Sequence, residues 1–131
     1  MAHWDVSVEV DDKVGALAEL GEAMGAAGIN LDGIWTHQRD GKAHVHVLVS
    51  DREACEKAVK AKGWTVHRAH EVLVAACENR AGWLGEQCRK LADAGLNVEW
   101  CYMATDNRIV VSCKDLAKAR EVWGKVGAAS H

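Results

Sequence analysis

The chain of 131 residues repeats itself. A shift of 67 residues, which carries Gly15 onto Gly82, aligns Lys13-Val14-Gly15-Ala16-Leu17-Ala18-Glu19 with Arg80-Ala81-Gly82-Trp83-Leu84-Gly85-Glu86. The same shift lays Ala27-Gly28-Ile29-Asn30-Leu31-Asp32 on Ala94-Gly95-Leu96-Asn97-Val98-Glu99. Agreement at glycines and asparagines, residues that backbone geometry selects, reads as a tandem duplication. Whatever one copy folds into, the other must accommodate. Only motifs that close within about 65 residues therefore qualify.

Each copy shows one order of elements. Trp4, Val6, Val8 and Val10 alternate with Asp5, Ser7 and Glu9, the period of a half-buried strand. Asp12 is placed to cap a helix over 14–27, which Gly28 ends in the left-handed conformation. A strand over 29–37, a turn containing Asp40-Gly41 and a returning strand over 43–50 follow. Asp51 caps a second helix with Ala54, Cys55, Ala58 and Val59 on one face, Gly63 stops it, and 64–70 supplies a fourth strand. This is β-α-β-β-α-β, the ferredoxin-like unit, an antiparallel sheet with both helices on one face. The second copy gives a strand over 72–77, a cap at Asn79, a helix over 81–94, strands over 96–104 and 109–113, and a helix from Asp115 to about Val126. Its last strand is missing, with Gly127 to His131 left over. The expectation is an α+β chain of two repeats, 1–70 and 71–131, joined without linker-like residues.

Composition narrows the function. Hydrophobic residues at 49% and charged residues at 27% suit a packed globular domain. The longest uncharged runs, 45–50 and 72–77, fall far short of the ~20 apolar residues that cross a bilayer. Asp5, Glu9, Asp11 and Asp12 interrupt the start, so no secretory leader is expected. A formal charge of −3 argues against a nucleic-acid partner. Five cysteines without a C-x-x-C pair read as reduced thiols of a cytoplasmic protein. Proline is absent, so turns fall to Gly, Asn and Asp. No nucleophile elbow, P-loop or H-E-x-x-H occurs, and neither an enzyme nor a cofactor is expected.

Asp12-Lys13-Val14-Gly15-Ala16-Leu17 followed by Gly28-Ile29-Asn30 resembles the ACT-domain signature, a D-R-P-G-x-L loop, a helix and then G-I-N-I. Asn79-Arg80-Ala81-Gly82-Trp83-Leu84 with Gly95-Leu96-Asn97 is similar to a second copy. The resemblance runs from about residue 4 to 126. It implies a free-standing tandem ACT protein, a regulatory module that binds an amino acid and pairs as a dimer. The family's loop proline is Val14 in one copy and Ala81 in the other, and Trp83 takes a place usually small. Trp83 is expected to fill or wall off the second pocket, which makes the first copy the better ligand candidate.

Physical chemistry points to the same loops. A glycine at the start of a helix lets a ligand approach the main chain, and the first-turn amides with the positive dipole end attract a carboxylate. Gly15, Ala16 and Leu17, or Gly82, Trp83 and Leu84, would offer those amides, with the leucine side chains in the core. Asn30 and Asn97, leading the next strands, would bind the ligand's polar groups, and Asp12, Asp32 or Glu99 would face its ammonium. A second reading is a ligand-free assembly module. A third is a metal sensor at His44 and His46, two imidazoles on one strand face with Glu9 on the neighbouring strand. The sheet face away from the helices reads mostly polar in the first copy (Asp5, Ser7, Glu9, His44, His46, Leu48). In the second it reads largely apolar (Val72, Val74, Ala76, Cys101, Met103, Val110, Ser112) and is expected to pack on another copy as a homodimer.

Overall fold

A computed structural model describes residues 2–124. Among them are six strands and four helices in an α+β arrangement with antiparallel strand pairs. They gather into two compact units, Trp4–His70 and the stretch from Glu71 onward together with His3.

In the first unit β1 (His3–Asp11), β2 (Gly33–Arg39) and β3 (Lys42–Val49) form the sheet, with β3 in the middle. Val6 lies opposite Val47 and Val8 opposite Val45, while Thr36 faces Val45 from the other side. This register puts every second valine on one face. There Val6, Val8, Val10, Val45, Val47 and Val49 pack with Leu20 and Met24 of α1 (Ala16–Ala26) and Cys55 and Val59 of α2 (Arg52–Ala61). Both helices therefore cover the same face. Each fully buried aliphatic side chain contributes roughly 1.5–3 kcal/mol. Strand β4 (Thr65–Ala76) begins in this unit and ends in the next without a break.

In the second unit β6 (Arg108–Ser112) lies between the end of β4 and β5 (Trp100–Ala104). Leu73, Ala75, Ile109 and Val111 pack with Leu91 of α3 (Trp83–Asp93) and Ala119 and Trp123 of α4 (Leu116–Trp123). The Trp123 indole donates to the Gln87 carbonyl at 2.9 Å. The expected end of the last helix near Val126 and the expected lack of a strand over 127–131 lie outside the described residues.

Several local expectations are corrected. Neither Asp12 nor Asn79 caps its helix. Gly15 and Gly82 stand there instead, at φ of 87° and 86°, with no side-chain cap. Asp12 accepts from Gln38 Nε2 at 2.9 Å. The capping aspartates of the other helices do act, Asp51 on the Ala54 amide and Asp115 on the Lys118 amide, both at 3.0 Å. Strands β2 and β5 start later than expected because the Ile29 and Leu96 amides bond back to Met24 and Leu91, closing the helices past Gly28 and Gly95. The ladder starts when Asp32 and Glu99 donate to Leu48 and Ser112. Finally, the sheet faces turned from the helices are not open. Asp5, Ser7, His46 and Leu48 are buried, and so are Val72, Val74, Val110 and Ser112, leaving Cys101 and Met103 exposed on the face expected to await a second copy.

Leu20 and Leu91 have no exposed surface. Replacing either by alanine should cost about 2–5 kcal/mol in urea denaturation. Gly21→Ala should instead stabilise by about 0.5–1 kcal/mol, because the added methyl meets open space in the middle of α1.

Candidate functional site

The loop between β1 and α1 is built around Gly15. Its positive φ is a conformation that a side chain disfavours, and a Cβ there would meet nothing within 4 Å. Backbone strain rather than crowding selects the glycine. Gly82 repeats both properties in the other unit. The bend lets the Ala16 amide donate to Lys13 O at 3.2 Å, and the Trp83 amide to Arg80 O at 3.3 Å. Two of the amides expected to be available are thus used. The next two in each helix, those of Leu17 and Ala18 and of Leu84 and Gly85, take no backbone partner among the described residues. The unbonded amides of each helix start are thus shifted by one residue.

The leucines do not sit in the core. Leu17 is 51% and Leu84 48% exposed, and Val14 is fully exposed. A cavity of about 150 Å³ lies against the first loop, lined by Asp12, Lys13, Ala16 and Leu17 with Thr36, His37 and Gln38 of β2. Strand alternation turns the Thr36 and Gln38 side chains toward the helix side, since they pair with Val45 and Ala43. The Gln38 amide fixes the Asp12 carboxylate on the cavity wall. Nothing in the repeated motif marks Thr36 and Gln38. Only the β2–β3 register finds them.

Other candidate residues lie elsewhere. Asn30 is absent from the lining of that cavity and donates to Asp32 at 2.8 Å. Asn97 borders a different cavity of about 370 Å³ with Glu99, Lys114 and Lys118. Asn79 and Ala81 are exposed. Trp83 is 3% exposed and packs in the core, 6.3 Å from Trp123 between ring centres. Arg80, in the loop before α3, bonds Glu78 at 2.8 Å and Glu86 at 2.5 Å across the start of the helix. A further depression of about 270 Å³ flanks the first loop, lined by Glu9, Glu19, Trp64 and the Asp11–Lys42 pair. The Lys42 ammonium, bonded at 2.6 Å, holds the Asp11 carboxyl below its usual range.

The histidines do not converge on a metal. His46 Nδ1 is 2.8 Å from Asp5 Oδ1 in a buried pair, with the Trp35 ring stacked 4.1 Å away. The His44 ring stacks on His37 at 5.0 Å. No group of three His, Cys, Asp or Glu side chains among the described residues has metal-holding geometry. Cys55 is fully buried, and burial pushes its thiol up to about 11, away from the thiolate that a nucleophile needs near neutral pH.

Gly15→Ala and Gly82→Ala should each lose about 1–2 kcal/mol in denaturant unfolding, opposite in sign to Gly21→Ala. Equal stability of the variants and the parent would mean that the bends relax.

No family model and no curated protein sequence matches the chain. Solved structures do. A protein from Bacteroides thetaiotaomicron is 25% identical with a TM-score of 0.83, covering 96% of this chain and 89% of its own. The ligand-free regulatory subunit of aspartate kinase from Thermus thermophilus is 16% identical with a TM-score of 0.69, covering 95% and 91%. The aspartokinase alpha and beta subunits give 18% and 0.65, covering 94% and 90%. These last two are matched over nearly the whole of a regulatory or kinase subunit chain, and the likeness at such identity is one of fold. The chain has the ACT-type fold that its repeated loops resemble.

Proposed function

We propose that this chain is a regulatory protein of two ACT-like repeats, residues 1–70 and 71–131, that binds a small amino acid at the loop of the first repeat. One observation carries the reading: the left-handed bend at Gly15 leaves the Leu17 and Ala18 amides without backbone partners, beside a cavity of about 150 Å³. Those amides, at the positive end of α1, hold the carboxylate. The Asp12 carboxylate, already oriented by Gln38, faces the ammonium. A volume of this order accepts about six heavy atoms, as a benzene-sized cavity does, which favours a small side chain. Asn30 and the second loop, with Asn79, Ala81, Gly82, Trp83, Leu84 and Asn97, play no part in this first site.

The protein acts without catalysis or cofactor, and the fold's regulatory neighbours support that. Five unpaired thiols favour the cytoplasm, and no helix among the described residues is long and apolar enough to cross a membrane.

The exposed Val14 and Leu17 favour a second reading, an assembly module in which these side chains meet another copy. A homodimer formed this way replaces the one expected through the sheet face of the second repeat, because that face is buried at Val72, Val74 and Val110.

Thermal unfolding with each of the common amino acids at millimolar concentration separates the two readings. A single binder should stabilise by about 2.7 kcal/mol at a hundred times its Kd, and Gly15→Ala should weaken binding where Gly82→Ala does not. Failure of every amino acid to raise the melting temperature would end the sensor reading. Light scattering of Leu17→Lys then tests assembly: a parent dimer becoming monomeric supports it, and an unchanged mass rejects it.

A further inference from the structure

Strand β2 carries different chemistry on its two faces. Thr36 and Gln38 point to the helix side, and Trp35 and His37 to the other. On that other face the rings form a row across the sheet. Trp35 stacks on His37 at 5.0 Å, His37 on its register partner His44 at 5.0 Å and 6°, and His44 meets the edge of His67 at 5.7 Å. While neutral, such a row is a set of favourable ring contacts. Once protonated, it places like charges directly opposite one another across a strand pair, which destabilises the pair.

The charges around the row do not offset this. From β1, Asp5 is bonded to His46, Asp11 is bonded to Lys42 of β3, and Glu9 stands opposite His44. From β2, Arg39 adds a positive charge beyond His37, and His46 lies 5.6 Å from the His37 ring. Of the carboxylates just named, Glu9 stands opposite a ring of the row, and on β4 (Thr65–Ala76) Arg68 follows His67 in sequence. We propose that the His37–His44–His67 row is a proton-sensitive latch that holds the β2–β3 hairpin closed near neutral pH and loosens it on acidification. The latch goes beyond the ligand reading and stands without it. Where a ligand does occupy the cavity, loosening moves the wall made by Thr36 and Gln38.

Partial burial first, then His46, His44 and Arg39, hold the His37 imidazole below its ordinary value of 6.5. The unfolded chain therefore binds this proton more readily than the folded one. The stability so gained is full above 6.5 and is lost as pH falls through 6.5 toward the folded value.

The test is the melting temperature of the full chain at pH 7.5 and pH 5.5, for the parent, His37→Gln and His44→Gln. The parent should lose about 5 °C more on acidification than either variant. Equal losses in all three would overturn the latch. Imidazole proton titration by NMR on the parent gives an answer even if the variants fold poorly. Expected is a midpoint below 6.5 for His37, with shallow, mutually dependent curves along the row. Independent titrations near 6.5 would overturn the proposal.

Discussion

The left-handed turn of the backbone at Gly15 and Gly82 is the constraint from which the functional geometry follows. It places the first helical residue at Ala16 and at Trp83, and it spends one amide of each first turn on the preceding loop carbonyl. It also swings the following leucine outward instead of into the core. A side chain in place of glycine would pay the cost of positive φ without any compensating contact, since the space around both glycines is open. The bend is therefore a purely conformational demand. Its chemical product is a helix start with amides left over.

The two loops share this backbone, yet their surroundings differ. At the first, Asp12 is pinned by Gln38 from β2 and a cavity lies alongside. At the second, Arg80 bridges Glu78 and Glu86, and the residue after the glycine is a core tryptophan whose ring is tilted against that of Trp123. The same bend thus borders a cavity in one unit and leads into core packing in the other. This asymmetry is why the proposed ligand is placed at the first loop, while Trp83 is buried in the core of the second unit.

Strand β2 joins the cavity wall at Thr36 and Gln38 to the histidine row through the two-residue period of a strand. Neither face can shift alone, because both belong to one backbone paired with β3. The buried Asp5–His46 pair anchors the other end of the row with a hydrogen bond of 2.8 Å, and Trp35 seals against it. Asp5, Ser7 and His46 read from the sequence as part of a mostly polar face, and they are buried. Alternation shows which residues share a face but not whether water reaches it, and the partner of Asp5 lies 41 residues away in the chain.

Local rules were legible in the sequence alone. The valine alternation of β1, the Asp40-Gly41 turn with both residues at positive φ, the aspartate caps at Asp51 and Asp115 and the glycine stops at Gly28, Gly63 and Gly95 all depend on neighbours within a few residues. So does the left-handed demand implied by the repeated glycine. What tertiary structure decided depends on residues far apart in sequence. The β2–β3 register brought Thr36 and Gln38 to the loop and His37 onto His44. The core chose Trp83 and refused Leu17 and Leu84. Periodicity encodes direction along one element, whereas contact and burial arise only when elements meet.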